Sequence, residues 1–197
     1  MLTTAHSQLL INLGTALFVL GLTHLIPGIA LLDAQVFHYA HTRTRVLGPV
    51  FRLLWHFGRT PFSLLVIALI IFVKPEMGLT LAIVFILIIS LEWFIKRSLQ
   101  RVRPFKLIPD TVMGQPREPL DPSFPSGDAL RIWFLALSLP IGLGAALPVI
   151  LGAAVVAMLI TLGRIGLGVH YPLDILGGSG LGILAAGLWL RTLATFL

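Results

Sequence analysis

The sequence predicts an all-α fold: six membrane-spanning helices in one bundle, with polar active-site loops on one membrane face. Three observations predict it. Of the 197 residues, 57% are hydrophobic and only 11% charged, where a soluble domain carries about 25% charged residues. Apolar stretches near the roughly 20-residue crossing length recur from one end of the chain to the other. Finally, the polar segments 33–60, 97–128 and 164–172 are separated by two spans each. An even number of crossings returns the chain to the same side, so all three face one side of the membrane.

The first span is expected from Gln8 to Leu32, with Pro27 late in it and Asp33 closing it. "RVLGPVFRLLWHFG" sets Val46, Val50, Leu53 and Leu54 on one side and Arg52 and His56 elsewhere, the pattern of a helix lying in the interface. "RTPFSLLVIALIIFV" is the second span, with Pro61 where a first helical turn tolerates it. A tight "KPEMG" turn precedes the third, Leu79 to Lys96, in which Glu92 and Lys96 share a face at i,i+4 spacing. Ile132 to Gly163 carries no charge and is too long for one crossing, so a break at Gly142, Gly144 and Pro148 yields the fourth and fifth spans. The sixth runs from Leu173 to Leu190. With no internal repeat and no low-complexity tail, 1–197 reads as a single integral membrane domain whose motifs fall in 96–174.

Composition also excludes function classes. Without cysteine there is no disulfide framework, thiol nucleophile or thiolate metal site. The net charge of +6 is available to anionic lipid or a phosphorylated substrate. No aromatic-interleaved basic stripe suggests a nucleic-acid partner. The first basic residue is Arg43, so the basic start of a cleaved signal peptide is missing and the first apolar run is read as a retained span.

Three polar segments could carry chemistry. In "KRSLQRVRP", Lys96 and Arg103 could converge on a phosphate, one as a point charge and one as a planar fork. The bland alternative is a basic cluster that snorkels to lipid headgroups. In "DPSFPSGDALR", Gly127 permits close backbone approach and Ser126 with its neighbouring N–H groups could form an anion nest. Asp128 opens the fourth span and could simply cap that helix. In "GRIGLGVHYPLD", Arg164 and His170 flank a short connection, and His170 and Asp174 stand four apart, suited to a carboxylate-oriented imidazole. Ionisable residues at a membrane edge are costly, so several on one side argue for a site.

These blocks resemble the type 2 phosphatidic acid phosphatase family, the integral membrane branch of the vanadium haloperoxidase-like phosphatases. The family pattern is Lys, six residues, Arg-Pro; then Pro-Ser-Gly-His; then Ser-Arg, five residues, His, three residues, Asp. Here it reads Lys96 with Arg103-Pro104, Pro125-Ser126-Gly127, and Arg164, His170 and Asp174, with every internal spacing kept. The second-block His is replaced by Asp128 and the third-block Ser by Gly163.

The resemblance implies a membrane lipid phosphatase acting on a lipid phosphate or diphosphate such as undecaprenyl diphosphate. His170 would attack phosphorus to give a phosphohistidine that water hydrolyses, and Asp174 would hold the imidazole tautomer. Lys96, Arg103, Arg164 and the Ser126–Gly127 amides would bind the equatorial oxygens. No metal or other cofactor is called for. Asp128 would replace the histidine that protonates the leaving group, either kept protonated by the bound phosphate or relieved of the task by a weakly basic diphosphate leaving group. His41 or His56 are alternative acids on the same side. Two rivals stay open: a phosphotransferase with the same phosphohistidine, and a non-catalytic lipid-phosphate binder. The resemblance also implies a bacterial inner (plasma) membrane with the active side periplasmic or exterior. Against this, that side holds every Lys and Arg except Lys74 and Arg191, the reverse of the positive-inside pattern.

Overall fold

A computed structural model describes residues 4–196, and all regular structure among them is helical. The α-helices are α1 (Thr4–Leu22), α2 (Pro27–Thr44), α3 (Gly48–Gly58), α4 (Thr60–Val73), α5 (Pro75–Leu99), α6 (Pro104–Leu107), α7 (Gly127–Gly142), α8 (Leu147–Gly166) and α9 (Pro172–Phe196). Proline opens most of these helices at a position where its missing N–H removes no intrahelical bond.

Helix α9 is the hub, packed against α1, α5 and α7. Its glycines let α1 come close: a Cβ at Gly21 would lie 2.7 Å from the Gly177 Cα. In lipid such backbone proximity replaces the hydrophobic drive as the source of association. The main core joins Leu81 and Phe85 of α5, Leu130 and Phe134 of α7, and Trp189 of α9. The Trp189 indole N–H is satisfied by Thr80 Oγ1 at 3.1 Å. Outward-facing Leu65, Phe72, Ile86, Leu87 and Phe94 are exposed, as a bilayer solvent requires.

The first part of the chain departs from expectation. Pro27 begins α2 rather than lying late in a first span, and Asp33 is buried inside α2. Both Asp33 and the next turns of chain are drawn to the α8–α9 junction: Asp33 Oδ1 accepts from Leu173 N–H at 3.1 Å. His41 Nδ1 meets the Ile165 carbonyl at 3.0 Å. Helices α2 and α3 thus fold across one end of the bundle, and α3 buries Phe51 and Trp55 there while Val50 and Leu53 stay exposed.

Length and composition identify four candidate spans, 6–25, 75–107, 147–166 and 172–194, and a fifth if the 46° bent pair 27–58 and 60–73 counts as one. The count of six is therefore not reached on those grounds. The shortfall centres on α7, whose 16 residues cover about 24 Å of a roughly 30 Å hydrocarbon core. Its first two turns carry Asp128 and Arg131, and they belong to the polar end of the bundle. The expected break at Gly142 is present, with Gly144 at φ +70° in the α7–α8 turn.

Candidate active site

Four helix ends meet beneath α2 and α3: the C-termini of α5 and α8 and the N-termini of α7 and α9. They enclose a cavity of about 200 Å³ lined by Lys96, Arg103, Asp128, Arg164 and His170 together with Arg59, Glu92, Gln115, Asp121, Gly127 and Arg131. Segments from Trp55 to His170 are thereby brought to one place, and Gly127 lies at its wall.

His170 sits in the short turn between α8 and α9 and is 2% exposed. Its Nδ1 faces Asp174 Oδ2 at 3.5 Å and its Nε2 lies 3.1 Å from Arg103 Nη1. The four-residue spacing thus does place the acid behind the imidazole, leaving Nε2 towards the cavity. Burial, with the Arg103 charge adding to it, pushes the imidazole down to about 3 against the opposing pull of Asp174. It is therefore neutral at physiological pH.

Asp174 is fully buried and held on every side. Oδ2 accepts from Ser123 Oγ at 2.5 Å and from Tyr171 N–H at 2.8 Å. Oδ1 accepts from Arg101 Nη1 at 2.6 Å. The other arm of Arg101 reaches Asp33 Oδ2, also at 2.6 Å, and its guanidinium lies 4.2 Å over the Tyr171 ring. One arginine therefore ties α2 to the carboxylate behind His170.

Lys96 and Arg103 converge as expected, and they converge on a carboxylate. Asp121 Oδ2 accepts from Lys96 Nζ at 2.7 Å and Oδ1 from Arg103 Nη2 at 2.9 Å. Burial alone would raise the Asp121 pKa, but the two cations outweigh it and hold the carboxyl well below the usual range. Its side chain is 53% exposed, so it occupies the cations from the solvent side. Glu92 adds the anticipated i,i+4 pair to Lys96 at 3.6 Å.

Arg164 is buried in the cavity wall. Its Nη2 donates to Gln115 Oε1 at 2.6 Å and lies 3.1 Å from Asp128 Oδ2, while Nε and Nη1 have no hydrogen-bond partner. Buried donors are normally satisfied, so two orphaned guanidinium nitrogens mark a place for an anion.

Other expected residues fall differently. Both Asp128 oxygens are engaged, Oδ1 with Arg131 Nη2 at 2.8 Å and Oδ2 with Arg164. A general acid needs an oxygen free to carry a proton, and this arrangement provides none. Ser126 lies outside the cavity lining; its N–H donates to the Asp174 carbonyl at 3.0 Å, so that amide is unavailable to phosphate. Gly127 does line the cavity, where an added Cβ would collide with the Glu92 carboxylate. The missing third-block serine is accounted for by packing: a Cβ at Gly163 would lie 3.0 Å from the Phe51 ring. His41 is consumed by Ile165 O and Val112 N–H and His56 is exposed on α3; neither lines the cavity.

Sequence reasoning missed Asp121, Ser123, Gln115, Arg101 and Arg131. Arg131 alone had a local signal, its i,i+3 spacing from Asp128. Among the described residues no group of three or more His, Asp or Glu side chains is gathered as a metal site.

A family model described as the PAP2 superfamily matches residues 76–196. An undecaprenyl-diphosphatase of Sulfolobus acidocaldarius is 32% identical over 128 residues, a match covering 64% of this chain and 61% of that protein. The chain thus spans about 61% of the length of this curated relative. Among solved structures, a transmembrane PAP2 type phosphatidylglycerolphosphate phosphatase from Bacillus subtilis superposes with a TM-score of 0.81 at 25% identity, over 95% of this chain and 97% of the other. LpxE of Aquifex aeolicus gives 0.66 at 25% identity, over 81% and 95%.

Proposed function

The chain belongs to the PAP2 superfamily, and from that premise we propose that it is an integral membrane lipid phosphatase that works through a phosphohistidine on His170 and prefers a lipid diphosphate. The observation that carries this reading is the buried Arg164 guanidinium with two unpartnered nitrogens in a cavity that also presents Lys96, Arg103 and His170.

In this mechanism a terminal phosphoryl group enters the cavity, takes the place of the Asp121 carboxylate on Lys96 and Arg103, and satisfies Arg164. The Nε2 lone pair of neutral His170 attacks phosphorus as the bond to the leaving oxygen breaks. Asp174 accepts the Nδ1 proton's hydrogen bond and stabilises the imidazolium that forms. The cations neutralise charge on the equatorial oxygens. Water then attacks the phosphohistidine, releasing inorganic phosphate and restoring the imidazole. No step calls for a metal or other cofactor.

The preference for diphosphate follows from Asp128. An alkoxide departing from a monophosphate needs a proton, and Asp128 is tied to Arg131 and Arg164. A departing phosphate monoester is a far weaker base and needs charge neutralisation instead. Asp128 then serves by holding the two arginines in place. The undecaprenyl-diphosphatase relative supports the same substrate class, and the transmembrane phosphatidylglycerolphosphate phosphatase of B. subtilis supports a phosphatase embedded in the membrane. The whole of 1–197 acts as one domain in this reading, with the bilayer and the phosphorylated lipid as its partners and the cavity facing the periplasm or exterior.

The test is phosphate release by purified protein in detergent, with His170→Ala as control and acid-labile, base-stable labelling of the protein sought during turnover. Release that disappears in the control, with label on wild type only, supports the proposal. Release unaffected by His170→Ala, or phosphate delivered only to an added acceptor, overturns it.

A further inference from the structure

Five cations line the cavity against three carboxylates: Arg59, Lys96, Arg103, Arg131 and Arg164 against Glu92, Asp121 and Asp128. Lys96 and Arg103 are paired with Asp121, Arg164 with Asp128, and Arg131 with Glu92 and Asp128. Among the described residues, Arg59 alone of the five has no ion pair. It is half-buried at the break between α3 and α4, its guanidinium 4.5 Å over the Trp55 ring. Trp55 is itself buried, so the stack fixes the arginine at the cavity wall without neutralising it.

The break that carries Arg59 is seated beside Asp128 and Arg131. The preceding carbonyl, that of Gly58, accepts from Arg131 Nε at 3.1 Å, and the Gly58 backbone abuts Asp128, whose Cβ would be 2.9 Å from a Cβ added there. Asp128 stands where the family pattern has the histidine that protonates the leaving group. Arg59 therefore lies at the cavity wall on the same side as Asp128, where the family pattern puts the leaving group.

We propose that Arg59 is the ligand for the second, lipid-proximal phosphate of a diphosphate substrate, and that it adds to the preference for diphosphate over monophosphate that the engaged Asp128 carboxylate imposes. The inference rests on the phosphatase reading above. When His170 Nε2 bonds to the terminal phosphorus, the bond from that phosphorus to the bridging oxygen breaks and its electron pair stays on that oxygen. The bridging oxygen becomes a non-bridging oxygen of the lipid monophosphate, with no proton transferred in that step. The proximal phosphate gains one negative charge, and an uncommitted arginine against it stabilises the products of the bond cleavage. A lipid monophosphate has no group to reach Arg59.

The experiment compares wild type, Arg59→Gln and Arg59→Lys on one polyprenyl tail carrying either a diphosphate or a monophosphate. Binding of inorganic pyrophosphate and of orthophosphate is measured calorimetrically on the same preparations, because it reports the site without turnover. Loss of a charge-assisted hydrogen bond predicts kcat/KM on the diphosphate lower by about 10- to 100-fold in Arg59→Gln. Turnover of the monophosphate and orthophosphate binding should stay within about twofold, pyrophosphate binding should fall with the diphosphate rate, and Arg59→Lys should recover part of both. Equal losses on both lipids, or no loss of pyrophosphate binding, overturn the role of Arg59 while leaving the phosphatase reading intact. Wild type that releases phosphate from neither lipid overturns both.

Discussion

Asp128 faces Arg164 across 3.1 Å, at the one position of the second block where this chain departs from the histidine of the family pattern. The pair explains why an acid can stand there. A histidine between Arg131 and Arg164 would meet two positive charges, whereas a carboxylate links them.

The first prediction follows from that link. Asp128→Asn keeps the shape and removes the charge, loosening Arg164 and Arg131. The expected result is kcat/KM on a diphosphate lipid lower by about 10-fold or more, with the outline of the pH–rate profile unchanged. A general acid would behave otherwise, because its removal deletes the alkaline limb. Profiles of wild type and variant recorded from pH 5 to 9 separate the two roles.

Asp121 competes with the substrate. Its carboxylate already satisfies Lys96 and Arg103 and must leave when a phosphate arrives. Asp121→Asn removes the competing charge and should tighten inhibition by inorganic phosphate by about 10-fold. Lys96 and Arg103 keep the carboxylate ionised well below its usual range, so protonation does not relieve the competition between pH 5 and 8. The ratio of phosphate inhibition constants for the two proteins is expected to stay flat across that window. Weaker inhibition of the variant would show that Asp121 organises the cations rather than blocking them.

How far the site could be read in advance depended on chain separation. Lys96, Arg103, Arg164, His170 and Asp174 carry their meaning in fixed local spacings, and the structure brings the first four to one cavity with Asp174 behind His170. Arg101 could not be read that way, because its partners Asp33 and Asp174 lie 68 and 73 residues away. Asp121 was hidden for a related reason: a loop residue acquires its role only when the loop folds back on α5. The all-α membrane class was legible in composition, whereas Pro27 was not. A proline late in an apolar run and one that starts a new helix look alike until the Asp33 hydrogen bond fixes where α2 goes.

His170 yields a pH prediction with a definite sign. Its pKa in the folded protein is about 3, against about 6.5 for a free histidine. The nucleophile is thus unprotonated throughout the physiological range, and the acidic limb of turnover should lie below pH 5. Arg103→Gln removes one depressing charge and should move that limb upward, read from kcat/KM against pH. Stability has the same direction: the unfolded chain binds the proton first, so the contribution present above pH 6.5 is lost as pH falls towards 3.

Arg101 should matter to stability as much as to catalysis. Arg101→Leu leaves Asp33 and Asp174 buried without their cation, and breaking a buried ion pair costs about 3 kcal/mol. For a chain of this size that lowers Tm by about 10 °C. Arg101→Lys, which can reach only one of the two carboxylates, should fall between. Thermal unfolding in detergent of the two variants beside Asp33→Asn checks this. If Arg101→Leu melts with wild type, the arginine does not tie α2 to the site.

Orientation is the last prediction. The polar end carries most of the positive charge, which by the positive-inside pattern would point it to the cytoplasm. Lys96, Arg101, Arg103, Arg131 and Arg164, however, are committed to carboxylates within the protein. Arg43, Arg59 and Arg97 lie over Tyr39, Trp55 and Trp93. Such charges are fixed by the fold and the site, which weakens their value as a topology signal. The expected side is therefore extracytoplasmic, where a lipid diphosphate headgroup would meet the cavity. The cysteine-free sequence makes the check direct. Leu120→Cys sits at the polar end and is 90% exposed, while Lys74→Cys lies exposed in the turn at the opposite end. A membrane-impermeant maleimide should label Leu120→Cys in intact cells and Lys74→Cys only after permeabilisation. The reverse pattern would place the cavity in the cytoplasm and restore the charge rule.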